Sequence, residues 1–245
     1  MVKFGITERG DAGLDTSWVR KLSTVDGAII ITKDASQIID ELVLYQRKLI
    51  LHLTCTGYGS TIVEPNVPNV NETLITYHRL IEAGFPVKQV VLRLDPIIPT
   101  KKGIARASDV LTRFALDTSS NTMITRVRYS FLDMYPHVRS RFELAGLPDP
   151  YSGSFTASTY MQEQAIRMIN LWRGHYEFES CAEDTPDKQG CISQLDYNIL
   201  GINAEAFGKS IQRSNCLCAA SKTELLDNRD QCFHGCQYCY WKGAR

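Results

Sequence analysis

Long apolar runs and net charge are both scarce in this sequence. No stretch approaches the roughly 20 consecutive apolar residues that a membrane-spanning helix needs. The first residues, MVKFGITERGD, also lack the apolar core of a secretion signal, so we expect a cytoplasmic protein with no membrane partner. The 27 basic and 27 acidic residues cancel, which excludes a global attraction to nucleic acid or to an anionic lipid surface.

Cysteine is almost absent until residue 181, where it becomes abundant. Only Cys55 precedes that point, and seven of the eight cysteines follow it: Cys181, Cys191, Cys216, Cys218, Cys232, Cys236 and Cys239. A disulfide framework is one explanation of such clustering, but a reducing cytosol disfavours disulfides. Clustered thiols in a cytoplasmic chain indicate metal ligation. Cys55, which stands alone after an apolar run, is expected to be a plain buried residue.

Short apolar runs alternate with amphipathic segments along the chain. Six runs have the apolar, two-faced character of buried parallel strands, at residues 2–6, 27–32, 49–55, 89–95, 123–131 and 175–180. Helices are predicted between them at residues 35–48, 69–86, 108–117 and 159–174, with Asn69 and Glu72 as a capping pair. This alternation predicts an α/β fold, a partial or complete (βα)6-type parallel barrel, in which chemistry lies at the carboxyl ends of the strands. We expect one domain, 1–245, with a cysteine-rich cluster-binding segment at 181–245.

The last cysteines form a compact motif, CFHGCQYC, in which three and then two residues separate Cys232, Cys236 and Cys239. Such a loop can fold three thiolates around one inorganic centre, and both zinc and an iron–sulfur cluster are candidates. Structural zinc normally takes four closed ligands, usually as two separated pairs. A 4Fe-4S cluster held by three thiolates leaves one iron open for a small molecule, so the spacing favours a cluster.

This motif resembles the C-x3-C-x2-C signature of the radical S-adenosylmethionine superfamily, including the aromatic Tyr238 before the last cysteine. The resemblance implies that the three cysteines ligate three irons of a catalytic 4Fe-4S cluster. It also implies that the fourth iron chelates the methionine moiety of S-adenosylmethionine. Reductive cleavage of that cofactor gives a 5′-deoxyadenosyl radical, which takes a hydrogen atom from substrate.

In most superfamily members the motif follows the first barrel strand, whereas here it is C-terminal. We expect a permuted barrel, because the two ends of a closed or nearly closed barrel are neighbours. Further segments, TCTGYGSTIVEPNVPN, AGFPVKQVVLRLDPIIP and RVRYSFLDMYP, together with the final cysteines, resemble a family of bacterial and phage proteins distantly related to spore photoproduct lyase. The resemblance covers roughly residues 27 to 240. It implies cofactor chemistry but no substrate.

Four other cysteines form a second set: Cys181, Cys191, Cys216 and Cys218. Four thiolates can bind a second, auxiliary 4Fe-4S cluster or a structural zinc ion, and unliganded thiols are the third alternative.

Polar residues follow the third, fourth and fifth predicted strands, which should end at one rim: Thr54, Thr56, Glu64, Arg93, Asp95, Tyr129, Ser130 and Asp133. Arg93 and Asp95 are expected to hold the carboxylate and the ribose or amino groups of S-adenosylmethionine, because a guanidinium meets a carboxylate through paired hydrogen bonds. An internal ion pair between them is the alternative. Further candidates for cofactor binding are Thr54, Thr56, Glu64, Ser130 and Tyr238.

Two side chains near this rim are candidates for the reaction itself. Tyr129, or alternatively Tyr135, is a candidate for returning or relaying a hydrogen atom, although packing is the commoner role of a strand aromatic. Asp133 is the second catalytic candidate. Basic residues lie in neighbouring segments: Lys101, Lys102, Arg106, Arg113, Arg126, Arg128, Arg139 and Arg141. They indicate either a solvated helix surface or a site for a phosphate-bearing substrate.

The sequence therefore predicts a radical S-adenosylmethionine enzyme, an isomerase or lyase. Its expected substrate is a modified nucleobase, a nucleotide or DNA, such as a thymine side chain in phage DNA, and its expected electron donor is a flavodoxin or ferredoxin. Two alternatives stay open. One is a non-enzymatic α/β binding module stabilised by zinc, and the other is a radical enzyme that acts on a peptide or a small metabolite.

Overall fold

A computed structural model describes residues 2–119, 121–205, 217–218, 222–228 and 231–241. Its described strands form one parallel sheet: β1 (Phe4–Ile6), β2 (Gly27–Thr32), β3 (Leu49–Thr54), β4 (Val90–Ile97), β5 (Arg126–Phe131), β6 (Glu177–Ser180) and β7 (Lys222–Glu224). The strand order is β6-β5-β4-β3-β2-β1-β7. The α/β fold with a parallel sheet is therefore confirmed, but the sheet is open, with β6 and β7 at its edges.

Helices occupy the connections between the strands. They are α1 (Trp18–Lys21), α2 (Ile39–Leu44), α3 (Val70–Glu82), α4 (Lys101–Asp117), α5 (Pro136–Leu144), α6 (Thr159–Leu171) and α7 (Gln194–Ile199). Within the described residues, no helix has the length and apolar character that crossing a bilayer requires.

Both faces of the sheet are buried, as the apolar strands predict. On one face, strand residues such as Leu51 and Val127 pack against Leu74 of α3, Phe114 of α4 and Ile169 of α6. We call this the helix face. The other face packs Ile29, Ile50 and Val91 against Ile192 and against Tyr197 of α7. We call this the inner face, and it continues toward the cysteine-rich segment through Cys191 and Cys218.

Local chemistry explains where two of the helices begin. The predicted capping box at α3 is confirmed, because the Asn69 side chain accepts from the amide of Glu72 at 3.2 Å and Glu72 accepts from the Asn69 amide at 2.8 Å. The predicted start of the next helix at residue 108 is wrong. That helix, α4, begins at Lys101, where the Thr100 hydroxyl accepts from the Gly103 amide at 3.1 Å.

The edge strand β7 is absent from the sequence prediction, because its residues, KTE, have no apolar pattern. It pairs with β1, with Phe4 opposite Lys222. Lys222 forms an ion pair with Glu8 at 3.0 Å, and the Glu224 carboxylate accepts from the Arg9 amide at 3.0 Å. These contacts bring the cysteine-rich segment beside the first strand.

Candidate metal and cofactor site

A cavity of about 200 Å³ lies at the carboxyl ends of the strands. Its wall contains residues at or just after five strands, from β2 to β6: Thr32, Lys33, Thr54, Arg93, Asp95, Ser130 and Cys181. The C-terminal loop, which we define as residues 231–241, forms another part of that wall with Cys232, Cys236, Tyr238, Cys239, Tyr240 and Trp241. The structure thus brings the motif cysteines and the predicted rim into one cavity.

The C-terminal loop is tightly turned around its three cysteines. Gly235 has a φ of 67°, a left-handed conformation that costs glycine little, and the Cys239 amide donates to the Cys236 carbonyl at 3.2 Å. All three thiols line the cavity, and Cys236 is buried. The motif is therefore folded into a compact unit that faces the strand ends.

Glu64 connects the C-terminal loop to two other parts of the chain. Its buried carboxylate accepts from Lys33 Nζ at 2.7 Å and from Thr56 Oγ1 at 2.7 Å, and it also accepts from the Tyr238 hydroxyl. Lys33 Nζ in turn donates to the Tyr238 hydroxyl at 2.6 Å. Burial alone would lower the pKa of Lys33, but the neighbouring Glu64 carboxylate raises it, so this ammonium stays charged.

A second anchor involves His234, between the first two motif cysteines. Its Nδ1 donates to the Asn66 carbonyl at 2.9 Å, and its Nε2 lies 2.9 Å from Asp11 Oδ2. Asp11 also accepts from the Thr32 hydroxyl at 2.6 Å. Burial opposes ionisation of Asp11, but the bond to His234 and its charge lower the pKa of this carboxyl.

A third anchor holds the end of the C-terminal loop. Arg141 Nη2 donates to the Trp241 carbonyl at 2.6 Å, and its Nη1 donates to the Cys239 carbonyl. His137 Nε2 donates to the Tyr240 carbonyl at 2.6 Å, and the Trp241 indole donates to the Glu8 carbonyl at 3.2 Å. The loop is thus fixed from several sides.

Arg93 and Asp95 lie on the cavity wall and form an ion pair with each other. Arg93 Nε donates to Asp95 Oδ2 at 2.7 Å, and the Ser130 hydroxyl donates to the other carboxylate oxygen. Burial would raise the pKa of Asp95, but the charge of Arg93 holds it below its ordinary value. The internal ion pair that the sequence left open is present, at a position that a ligand in the cavity can reach.

The other predicted residues divide between the wall and the layer behind it. Thr54, Ser130, Asp133, Tyr135 and Tyr238 line the cavity. Thr56 and Glu64 do not, and they support Lys33 and Tyr238 from behind.

Tyr129, predicted to return or relay a hydrogen atom, is not among the residues that line the cavity, whereas the alternative Tyr135 is. Side chains alternate along β5, so Ser130 faces the cavity and Tyr129 packs on the helix face. There its hydroxyl contacts Asp187 at 3.1 Å and Thr185 at 3.2 Å.

Most of the predicted basic residues have internal partners, which argues against a basic binding surface. Arg126 donates to Glu179 at 2.9 Å and to Asp196 at 3.0 Å, and Arg128 also pairs with Glu179. Other pairs join Arg139 to Asp149 and Arg113 to Asp109, and Arg106 lies over the ring of Tyr58. Arg141 is committed to the C-terminal loop, as described above. Lys101 and Lys102 are exposed at the start of α4.

Three cysteines of the second set lie close together on the cavity wall. The sulfur atoms of Cys181 and Cys191 are 3.5 Å apart, and the Cys191 amide donates to Cys218 Sγ at 3.0 Å. Cys216, the fourth member, lies outside the described residues. Cys55 is buried in the core of the helix face, as predicted.

The donor set can be tested against the two candidate centres. Among the described residues, no three histidine, cysteine or carboxylate side chains converge as the ligands of one metal ion do. A 4Fe-4S cluster makes a different demand, because each thiolate binds its own iron atom. Burial raises the pKa of Cys232 to about 11, so the thiolate form needs a bound cation. Three thiols on one loop, facing one cavity, fit a cluster.

Lys33, Asp11 and His234 were missed at the sequence level. Lys33 directly follows β2, and Thr54 is the last residue of β3. The argument that strand ends meet at one rim would therefore have identified Lys33 if it had been applied to β2. Asp11 and His234 carry no such signal, because their contact joins residues far apart in the chain.

Comparisons with known proteins give one family match. A family model described as Domain of unknown function (DUF1848) matches residues 15–241, a range that includes β2 to β7 and the C-terminal loop. A search of curated proteins and a search of solved structures each return no match to the chain.

Proposed function

The chain belongs to the family described as Domain of unknown function (DUF1848), and we propose that it is a radical S-adenosylmethionine enzyme whose cofactors bind in the cavity at the carboxyl ends of the sheet. One observation carries this proposal. Cys232, Cys236 and Cys239 line the same cavity as Arg93 and Asp95 of the interior strand β4. A thiol motif suited to a cluster therefore adjoins groups suited to a zwitterionic cofactor.

The position of β7 supports the finer proposal of a permuted partial barrel. This strand pairs with β1 at the edge of the sheet and precedes the motif in the chain. The motif thus follows an edge strand, as it would in an unpermuted partial barrel whose first strand lies at the edge of the sheet.

The residues of the chain position the proposed cofactors. Cys232, Cys236 and Cys239 hold the cluster, and Lys33 places a buried cation whose charge acts on Cys236. Arg93 and Asp95 bind the carboxylate and amino groups of the methionine moiety. When bound, the cluster and S-adenosylmethionine supply an electron and the 5′-deoxyadenosyl radical that takes hydrogen from the substrate. Apolar residues of the wall, including Phe131 and Leu132, limit the access of water.

The proposed substrate is a modified nucleobase or a nucleotide, with isomerisation or bond cleavage as the reaction and a flavodoxin or ferredoxin as electron donor. Because most of the basic side chains near the rim are paired internally, a single base or nucleotide entering the cavity is favoured over a polymer bound across a basic face. A peptide or small metabolite is the competing substrate class.

Anaerobic purification with metal analysis tests the cofactor part of the proposal. The wild-type protein should contain at least about four irons with matching sulfide per chain. Its reduced EPR signal should change on adding S-adenosylmethionine, and 5′-deoxyadenosine should form. Cys236→Ala should lose all three properties and keep its secondary structure. Cys55→Ala, which removes a thiol from the helix face, is the matched control and should keep them.

Zinc without sulfide in the wild type, and an unfolded C-terminal region in Cys236→Ala, would instead support the zinc-stabilised binding module. The substrate class is tested separately. The loaded protein is incubated with nucleobases, nucleotides and oligonucleotides, and in parallel with peptides. Release of 5′-deoxyadenosine with peptides alone would contradict the nucleobase proposal and leave the cofactor chemistry intact.

A further inference from the structure

Three thiols outside the C-terminal motif meet on the cavity wall from separate segments. Cys181 directly follows β6, Cys191 lies in the loop before α7, and Cys218 lies before β7. Each belongs to the buried or partly buried residues of the inner face. The three thiols therefore bring the end of edge strand β6 close to the segment that precedes the other edge strand, β7.

The separation of two of these sulfurs discriminates among the centres that they can form. Cys181 Sγ and Cys191 Sγ are 3.5 Å apart. Two thiolates on one tetrahedral metal atom lie about 3.8 Å apart, given a bond length of about 2.3 Å. A disulfide requires about 2.05 Å. In a 4Fe-4S cluster each thiolate binds its own iron, so ligands are not in contact. The observed separation is too long for a disulfide and too short for two ligands of one cluster. It is close to that of two ligands on a single metal atom, and it is also that of a thiol–thiol hydrogen bond.

The third sulfur is held beside this pair by the backbone. The Cys191 amide donates to Cys218 Sγ at 3.0 Å, the kind of contact that orients and stabilises a metal thiolate. The preceding residue must be glycine for this approach, since a Cβ on Gly190 would lie 2.4 Å from the Leu217 carbonyl oxygen. The backbone thus brings Cys218 against Cys191.

Buried positive charge lies next to these thiols. The charges of Arg93 and Arg128 both act on Cys191. Behind them, Arg126 Nη1, Arg128 Nε and Arg128 Nη1 are buried and have no hydrogen-bond partner within the described residues. Buried donors are normally paired, so a further acceptor beside them is expected. A metal bound by several thiolates carries net negative charge and supplies it.

We propose that Cys181, Cys191 and Cys218 bind one thiophilic divalent cation of the zinc class, at a site separate from the C-terminal motif. No three such side chains among the described residues are closed around one point, so binding moves Cys218 Sγ onto the Cys181 and Cys191 pair. The ion links the end of β6 to the segment before β7 and so stiffens the cavity wall. This site does not depend on the radical chemistry proposed above.

The test is the zinc content of four proteins expressed with added Zn²⁺ and purified without oxygen: wild type, Cys191→Ser, Cys236→Ser and Cys55→Ser. Wild type, Cys236→Ser and Cys55→Ser should each hold one zinc per chain. Cys191→Ser should hold at least about tenfold less. X-ray absorption at the zinc edge of the wild type should show three or more sulfur ligands at about 2.3 Å.

A measurement on the wild type alone covers the case in which Cys191→Ser does not fold. Co²⁺ added after removal of metal should give thiolate-to-metal charge-transfer bands, which equimolar Zn²⁺ should abolish. Loss of iron and sulfide instead of zinc in Cys191→Ser would overturn the proposal in favour of a second cluster. A Cys181–Cys191 disulfide in metal-free native protein would overturn it as well. If Cys236→Ser loses iron but keeps zinc, the two sites are independent.

Discussion

At the scale of single residues, Glu64 is one anchor of the C-terminal loop. This carboxylate is 1% exposed and accepts hydrogen bonds from Lys33, Thr56 and Tyr238, which belong to three separate parts of the chain. Bonds between charged groups are among the strongest that side chains form. Glu64 therefore holds Lys33 and Tyr238 in place from behind the cavity wall, and its predicted contact with a cofactor stays a prediction.

Removal of one hydroxyl tests this role. Tyr238→Phe deletes the bonds from Tyr238 to Glu64 and from Lys33 to Tyr238 and keeps the ring in place. The free energy of unfolding should fall by about 2 kcal/mol, because these bonds involve charged partners. Urea denaturation at equal metal content measures it. The matched control is Tyr160→Phe, whose side chain is 64% exposed and should cost less than about 0.5 kcal/mol. Equal costs in the two variants would contradict the role of Glu64.

The rim residues were partly predictable because parallel strands end at a common edge. That rule identified Thr54, Arg93, Asp95 and Ser130 correctly. It does not separate Tyr129 from Ser130, because successive side chains of a strand point to opposite faces and only Ser130 lines the cavity. The pairing of His234 with Asp11 was beyond sequence reasoning, since no local pattern relates residues so distant.

At the scale of elements, strands β5 and β6 carry a charged layer inside the sheet. Glu179 on β6 neutralises two buried arginines of β5, Arg126 and Arg128, and Asp196 of α7 completes the group. Burial and then the charge of Arg128 hold the pKa of His52, on β3, well below its ordinary value, so its imidazole stays neutral. The layer is stable only while its charges balance.

Loss of one carboxylate in this layer should be costly. Glu179→Gln leaves two buried guanidinium groups without their shared partner, and we expect a loss of about 3–5 kcal/mol in the free energy of unfolding. Asp109→Asn breaks the Arg113–Asp109 pair, whose side chains are 45% and 53% exposed, and should cost about 0.5 kcal/mol or less. Chemical denaturation of both variants checks the difference. A loss below about 1 kcal/mol in Glu179→Gln would mean that the arginines find water or another partner.

Elements with a local signal were predicted well, and those without one were missed. The apolar strands and the capped helix α3 can be predicted because a few neighbouring residues suffice to identify them. Helix α4 begins earlier than predicted, and its first turn contains Gly103, a residue that is normally unfavourable in a helix. Glycine is needed there because a Cβ would lie 2.0 Å from the Ile98 carbonyl oxygen. Strand β7 forms by pairing with β1, so its three polar residues do not by themselves predict a strand.

At the scale of the whole molecule, buried carboxylates set the response to acid. The pKa values of Asp11 and Asp95 lie below 3.8 in the folded chain, since their partners outweigh the effect of burial. Each favours folding when ionised. Its contribution is present above a pH of about 4 and is lost as the pH falls through the folded pKa. Glu224 contributes to the pH dependence of stability with the opposite sign, because burial raises the pKa of its carboxyl and its ionised form therefore disfavours folding.

The free energy of unfolding should therefore decrease as the pH falls from 5 to 2, by about 1.4 kcal/mol for each unit of pKa depression. Asp95→Asn should give a shallower decrease, and Glu224→Gln a steeper one, because it removes the opposing contribution. Urea unfolding at each pH measures these slopes. A slope unchanged in Asp95→Asn would show that the ion pair with Arg93 does not contribute to the acid response.

The pairing of β1 with β7 also determines the order in which the molecule can be assembled during synthesis. Phe4 leaves the ribosome early, but its partner Lys222 follows more than two hundred residues later. Until then the outer edge of β1 is uncovered, and the cavity lacks the wall that carries Cys232, Cys236 and Cys239. Strands β1 to β6 are all synthesised before β7, so they can pair first. The thiol motif is then added to a sheet that already exists, so we expect the proposed cluster to be inserted at the final stage of biogenesis.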